Sequence, residues 1–241
     1  MGTVFSFDLR HDSAQQADAA LREAVASLHE ADRIFSTYKP DSDISRLGRG
    51  EIELDQCDPL VREVLVLGEE AVDRGAGAFT LHPRGTLDPS AVVKGWAIER
   101  ASDILRSGGV TTHLINGGGD VQACTDGPFA WSVAIVDPRD AKRVVLVVGS
   151  SGARRLAVAT SGTAERGEHI VTRAPDQGAP LLSVSVVGDS LTAVDIAATT
   201  AFALGDDARA WIEAQPGLEA MAVTTGGAMW TTSGFSAYVV G

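Results

Sequence analysis

A carboxylate and a hydroxyl stand four residues apart in a segment that is otherwise small and apolar. The segment spans residues 183–205, and the two groups belong to Asp195 and Thr199. A strand followed by a helix is predicted here, and a spacing of four places both side chains on one helical face. A carboxylate on a buried helix needs a partner, and both oxygens are ligands that Mg²⁺ accepts. The pair therefore indicates either a Mg²⁺ site or an aspartate hydrogen-bonded at a packed helix edge.

A lysine inside an apolar stretch is the second candidate. Lys94 lies in DPSAVVKGW, residues 88–96, where a loop leads into a predicted helix. Lysine is rarely buried without a partner. We expect a phosphate or a carboxylate at its ammonium group, or a side chain that reaches the surface.

Two glycine-containing stretches also offer polar groups. The three glycines within residues 115–120 would let a ligand approach the backbone, although a plain hairpin fits the same pattern. Residues 159–169 carry the hydroxyls of Thr160 and Ser161, which suit a phosphate or a flavin edge. His169 ends this stretch and is the strongest general-base candidate because histidine titrates near neutrality, although a structural histidine would look the same.

Charge and composition restrict the class of protein. The 241 residues include 32 acidic and 20 basic residues, a net charge of −12 that argues against binding to nucleic acid or anionic membranes. The apolar runs are shorter than a membrane span, so no transmembrane helix is expected. The first residues show no signal-peptide pattern, which predicts a cytoplasmic protein unless a leader has been removed. Cys57 and Cys124 are too few for a disulfide framework and are expected to be buried thiols.

Apolar periodicity places helices early in the chain and strands late. Helices are expected over residues 14–35, 59–74, 91–107 and 206–213, and in the segment that ends at Gly205. Strands are expected over residues 2–10, 78–81, 112–116, 120–124, 131–136, 144–148, 156–160, 169–172, 182–187, 220–224, 229–232 and 237–240. No linker or repeat divides the chain, so a single α+β domain over residues 1–241 is predicted, with early helices packed on mainly antiparallel sheets.

Eight segments occur in a fixed order from residue 1 to about residue 205. They read MGTVFSF, FSTYKPDSDISRL, GAF, D-x5-KGWAIERA, LINGGGDV, WSVAIVDP, AVATSGTAERGEHIV and SVSVVGDSLTAVDIAATTAFALG. Each is weak alone, but together they resemble the ApbE family of FAD:protein FMN transferases. The resemblance implies a two-lobed fold with the flavin site between the lobes, FAD as substrate and Mg²⁺ as cofactor. It also implies transfer of the FMN moiety to a threonine of a partner flavoprotein, with release of AMP.

The resemblance further implies a role for individual residues. The implied metal ligands are Asp195, Thr199 and the backbone carbonyl of Ala91, and the implied FAD contacts are Met1, Ala78, Phe79, Asp88, Lys94 and the backbone of Ile170. Tyr38 matches a tyrosine beside the isoalloxazine ring that is associated with transferase behaviour. His169 matches the histidine proposed to deprotonate the acceptor threonine.

The chain departs from the family pattern on the adenine side of the implied FAD pocket. Thr80 stands where the family usually has aspartate, and only eight positions separate it from Asp88, where other members have a longer segment. The dipeptide Ser90-Ala91 replaces Gly-Gly, and Glu99 replaces an aspartate.

Three functions are compatible with this pattern. The leading hypothesis is a Mg²⁺-dependent FMN transferase, and the acceptor is expected to be a separate protein because its Ser-Gly-Ala-Thr-like motif is absent from this chain. The second is a Mg²⁺-dependent FAD pyrophosphatase that yields FMN and AMP. The third is a protein that binds or delivers FAD without chemistry.

Overall fold

Six helices and nine strands make up the part of the chain that the computed structural model describes, residues 2–150, 154–163 and 181–240. The helices are α1 (Ala14–Phe35), α2 (Asp43–Gly48), α3 (Pro59–Arg74), α4 (Ser90–Ser107), α5 (Leu191–Leu204) and α6 (Ala208–Glu213). The strands are β1 (Phe5–Arg10), β2 (Thr112–Gly117), β3 (Asp120–Cys124), β4 (Ser132–Asp137), β5 (Asp140–Gly149), β6 (Arg155–Gly162), β7 (Leu181–Gly188), β8 (Glu219–Thr224) and β9 (Met229–Thr231).

The helix ends follow from local side-chain chemistry. The hydroxyl of Ser13 accepts a hydrogen bond from an amide in the first turn of α1, and the carboxylate of Asp58 does the same for α3, which has Pro59 in its first turn. Helix α5 begins after Ser190, whose hydroxyl caps it, and ends at Gly205, whose φ of 61° is easily adopted only by glycine.

Seven strands form one antiparallel sheet in the order β1-β2-β3-β6-β7-β8-β9, and β4 and β5 form a separate hairpin. Each face of the large sheet has its own core. In β6, Ala157 and Ala159 pack with the helices, whereas Leu156 and Val158 pack with the hairpin side, as the two-residue period of a strand requires. Small side chains on the helical face leave room for α4 and α5 to lie close to the sheet.

Helix α4 is the central element of the helical face. It contacts α1, α5, β2 and β3, and Trp96 packs edge-on against Phe35 of α1 with ring centroids 5.5 Å apart. The residues of α4 are therefore held from several sides, which is the condition for placing polar side chains accurately.

The structure confirms the predicted α+β class, with the early helices packed on a mainly antiparallel sheet. Both cysteines are buried thiols, as expected. Among the described residues, no helix is both long and apolar enough to cross a bilayer. The single domain over residues 1–241 and the arrangement of two lobes around a flavin stay predictions.

Two predicted strands are wrong. Residues 78–81 are irregular because they close a loop: the amide of Ala78 donates to the carbonyl of Gly75, and the amide of Asp88 donates to the carbonyl of Leu81. In place of the predicted strand over residues 237–240, a 3-10 turn covers Phe235–Tyr238 and only an isolated bridge joins Val239 to Val148. The strand predicted over residues 169–172 lies outside the described residues.

Candidate functional site

The ammonium group of Lys94 lies between the carboxylates of Asp120 and Asp195. It forms an ion pair with Asp120, and its nitrogen is 3.7 Å from Oδ1 of Asp195. The lysine side chain is 13% exposed, and those of Asp120 and Asp195 are 0% and 2% exposed. The expectation of a carboxylate partner for Lys94 is met, and the alternative of a side chain that reaches the surface is wrong. These three side chains alone, one buried cation and two buried anions of the described residues, carry a formal charge of −1 where water screens little.

Helices α4 and α5 touch at Gly95, beside this cluster. A β-carbon at this position would lie 2.6 Å from the Leu191 carbonyl oxygen and 2.9 Å from the Asp195 β-carbon, so glycine is required for the close approach. The Gly95 amide donates to Oδ2 of Asp195 over 3.0 Å. In a regular helix that amide would donate to the carbonyl of Ala91, four residues earlier. The Asp195 carboxylate competes for this donor, which increases the capacity of the Ala91 carbonyl to accept another ligand.

Thr199 lies one turn further along α5 than Asp195. Its hydroxyl oxygen is buried, and within the described ranges no hydrogen-bond partner is present for it. Gly95 lies against Leu191 and Asp195, whereas Glu99, one turn later in α4, contacts the start of α5 at Thr192. The two helices therefore run in opposite directions. Ala91 and Thr199 therefore lie at the same end of the helix contact, together with Asp195.

Glu99 fixes the start of α5 to α4. Its Oε2 accepts hydrogen bonds from the Ser190 hydroxyl (2.7 Å), the Thr192 amide (2.9 Å) and the Thr192 hydroxyl (2.7 Å). Its Oε1 accepts from Arg155 over 2.8 Å, and Gln122 accepts from the first amide of α5 over 3.0 Å. This anchoring places Asp195, one turn later, against Lys94 and Gly95.

Asp120 is held by the sheet. The turn between β2 and β3 uses Gly118 and Gly119 with φ values of 62° and 95°, so the glycine-rich stretch is a hairpin, which was one of its two expected forms. The amide of Thr160 donates to Oδ1 of Asp120 over 3.3 Å, and the Thr160 hydroxyl pairs with that of Ser185 at 2.8 Å. Ser161 is buried. The Thr160 amide therefore supports Asp120, and its hydroxyl is hydrogen-bonded within the sheet.

The implied FAD contacts of the 78–91 region lead into α4. Phe79 is buried in the main core and Ala78 is half-buried. Asp88 is half-buried, and its Oδ1 accepts hydrogen bonds from both the amide (3.0 Å) and the hydroxyl of Ser90, the first residue of α4. Asp88 thereby fixes the start of the helix that carries Lys94.

An apolar cavity of about 360 Å³ lies between β1 and α1. It is lined by Gly2, Thr3, Phe5, Phe7, Val25, Leu28, His29 and Asp32. Asp32 forms an ion pair with Lys39 (2.6 Å), and the neighbouring residue Tyr38 is 82% exposed. One lining residue of the cavity is therefore paired with the loop that carries Tyr38. Met1, His169 and Ile170, three of the predicted site residues, lie outside the described residues.

The donor set at Asp195 fits Mg²⁺. It consists of one carboxylate, the carbonyl of Ala91 and the hydroxyl of Thr199, which has no hydrogen-bond partner among the described residues. Within residues 2–150, 154–163 and 181–240, no group of three or more His, Cys, Asp or Glu side chains is arranged to hold a metal. The oxygen ligands at Asp195 do not suit zinc, which prefers nitrogen or sulfur ligands. They suit Mg²⁺, which takes few protein oxygens and completes its shell with water and phosphate.

The sequence matches the model of the ApbE family over residues 1–83 and 80–222. The chain belongs to the ApbE family. The two matched parts overlap at residues 80–83, within the short connection from Thr80 to Asp88 where this ApbE chain departs from the family pattern.

Curated relatives are named FAD:protein FMN transferase. The protein of that name from Rhodobacter capsulatus is 32% identical over 194 residues, which cover 73% of this chain and 36% of the relative. The one from Klebsiella pneumoniae (strain 342) is 31% identical over 166 residues, 63% of this chain and 50% of the relative. The ApbE chain therefore spans between about a third and half of the length of these relatives.

Solved ApbE structures share the fold. The flavin transferase ApbE from Vibrio cholerae superposes with a TM-score of 0.77 at 19% identity, over 99% of this chain and 96% of that one. The apo flavinyl transferase ApbE from Pseudomonas stutzeri gives a TM-score of 0.79 at 22% identity, over 100% and 95%.

Sequence reasoning did not single out Asp120 and Glu99 as site residues. The signal for Asp120 is its position at the start of the apolar strand DVQAC, since a carboxylate in a buried strand needs a partner. The one signal for Glu99 is that it replaces a family aspartate, because a glutamate in a helix is usually solvated and its role depends on contacts about 90 residues away.

Proposed function

We propose that this chain is a Mg²⁺-dependent FAD:protein FMN transferase that attaches FMN to a threonine of an acceptor flavoprotein and releases AMP. The observation that carries the proposal is the buried group of Lys94, Asp120 and Asp195, with the Thr199 hydroxyl one turn along α5 and without a hydrogen-bond partner in the described part of the chain. Family membership and the names of the curated relatives support it.

In the proposed reaction the acceptor threonine oxygen attacks the FMN phosphorus of FAD. The new bond joins that oxygen to phosphorus, the pyrophosphate bond breaks, and AMP leaves with the electron pair. His169 is the proposed base that takes the hydroxyl proton. A cation held by Asp195, Thr199 and the Ala91 carbonyl would neutralise charge that develops on the phosphate oxygens. Asp195 is held for this task by the Gly95 amide, and α5 by Glu99.

The cavity between β1 and α1 is the proposed position of the isoalloxazine ring. Its phenylalanines, Phe5 and Phe7, provide apolar surface for an aromatic ring, and its edge is close in sequence to Met1 and Tyr38, two implied FAD contacts. The acceptor is proposed to carry a Ser-Gly-Ala-Thr-like motif.

The test combines FAD, Mg²⁺ and an acceptor with that motif, followed by intact-mass measurement of the acceptor and detection of AMP. Covalent FMN on the acceptor supports the proposal. FMN and AMP released equally with and without acceptor would indicate a pyrophosphatase, and bound, intact FAD would indicate a binding or delivery protein.

Asp195→Asn should abolish Mg²⁺-dependent turnover because the amide keeps the shape and removes the charge that binds the cation. Asp189→Asn is the matched control, since this aspartate precedes the same helix and is exposed. Full activity of the Asp195 variant would contradict the metal assignment.

A further inference from the structure

Within the described part of the chain, one buried ammonium group and two buried carboxylates lie together beside the proposed cation site. We propose that Lys94 and Asp120 form a charge pair that sets how tightly Asp195 binds a divalent cation. This role rests on the proposed function, because it requires the cation to bind at Asp195.

The two oxygens of Asp195 have different surroundings. Oδ2 accepts the Gly95 amide at 3.0 Å, whereas Oδ1 is 3.7 Å from the Lys94 nitrogen, beyond the length of a normal hydrogen bond. Asp120 is the closer partner of the ammonium group. Asp120 therefore keeps Lys94 from closing onto Oδ1, which leaves that oxygen for a cation.

Asp120 is rigid enough for this role. It is fully buried, and it is the first residue of β3 after the tight turn from β2. Its Oδ1 accepts a hydrogen bond from the amide of Thr160. A carboxylate fixed in this way can hold the ammonium group of Lys94, which lies at the end of a flexible stem of four carbons.

The charge balance predicts the direction in which each variant changes cation affinity. The wild-type group has a formal charge of −1, Asp120→Asn brings it to zero, and Lys94→Met brings it to −2. Asp120→Asn frees Lys94 to pair with Asp195, so Mg²⁺ should bind about 10-fold to 100-fold more weakly, the range known for changes next to metal ligands. Lys94→Met should tighten binding by about 10-fold, since both carboxylates then attract the cation. The double variant returns the charge to −1, and its affinity should lie within about 3-fold of wild type on the same Coulombic reasoning.

Isothermal titration with Mg²⁺ alone, without FAD, measures these affinities on the full chain. Asp8→Asn is the matched control, because it removes one carboxylate from a partly exposed ion pair on β1 and should leave the affinity unchanged. Opposite changes in the two single variants with cancellation in the double variant support the proposal. A purely structural role would weaken binding in both single variants and weaken it further in the double variant, and that result would overturn it.

Lys94→Met leaves two buried carboxylates uncompensated and is the variant at risk of not folding. The double variant removes both charges of the pair and keeps the test decisive: wild-type affinity supports the proposal, and affinity as weak as that of Asp120→Asn overturns it. Failure of the proposed function looks different, because wild type would then bind no Mg²⁺ or would bind it no better than Asp195→Asn.

Discussion

Gly95→Ala should destabilise the fold and the candidate site together. The new β-carbon would lie 2.6 Å from the carbonyl oxygen of Leu191 and 2.9 Å from the β-carbon of Asp195, so the two helices must move apart. Separation lengthens or breaks the hydrogen bond from the Gly95 amide to the Asp195 carboxylate. The substitution therefore acts on the contact that aligns α4 with α5.

The magnitude follows from three terms. Overpacking a core position costs about 1–3 kcal/mol. Loss of a hydrogen bond to a charged group costs about 1.5–3 kcal/mol. Alanine regains about 1 kcal/mol over glycine in a helix interior. The expected net loss in the free energy of unfolding is about 1.5–5 kcal/mol, measured by equilibrium denaturation in urea.

Gly68→Ala is the matched control because Gly68 is also a buried glycine inside a helix. The three atoms nearest its added β-carbon, all within 3.0 Å, belong to the side chain of Leu81, and a side chain can change rotamer where a carbonyl of a packed helix cannot. The loss at Gly68 should be smaller than that at Gly95. Equal losses, or a Gly95 variant as stable as wild type, would refute the argument that backbone contact limits this position.

Two further predictions concern groups that support the site. Glu99→Ala should cost about 2–4 kcal/mol of unfolding free energy because three donors at the start of α5 lose their acceptor. Asp103 also pairs with Arg155, but at the surface, so the control Asp103→Ala should cost under about 1 kcal/mol. Equal costs in urea denaturation would argue against the helix anchor. Burial lowers the pKa of His113 to about 4 from 6.5, so the unfolded chain binds the proton more tightly than the folded chain. The free energy of unfolding should therefore fall by about 3 kcal/mol in all as the pH drops from about 6.5 towards 4. His113→Gln should remove that part of the pH dependence, and an unchanged slope would exclude His113 as its source.

The sequence predicted the long helices well because their signals are local. The bounds of α1 and α3 agree with prediction, since apolar stripes of helical period meet clear caps at Ser13 and Asp58. Residues 78–81 look like a strand by composition, but a strand needs a neighbour to pair with, and here the backbone bonds close a loop instead.

The site was predictable only in part. Asp195 and Lys94 stood out because each is a charged residue in an apolar segment, and the structure brings them together. Asp120, the second carboxylate at Lys94, could not be assigned because it comes from a third element whose distance from α4 and α5 depends on the whole sheet. The roles of the implied metal ligands and FAD contacts, like that of His169, stay predictions.

The way α5 begins also determines where an anionic ligand can bind. A strand, a turn and a helix in succession commonly hold phosphate on the free amides at the helix start, aided by the positive end of the helix dipole. In α5 the first three amides already donate to Gln122, Glu99 and Ser190, and Glu99 adds a negative charge that repels phosphate. The start of α4 is occupied in the same way, because the Asp88 carboxylate accepts from the Ser90 amide and the Pro89 carbonyl accepts from the amides of Val92 and Val93. Both helix starts therefore carry a carboxylate of the protein, so an anionic ligand at this site would need a cation rather than a helix dipole to offset its charge.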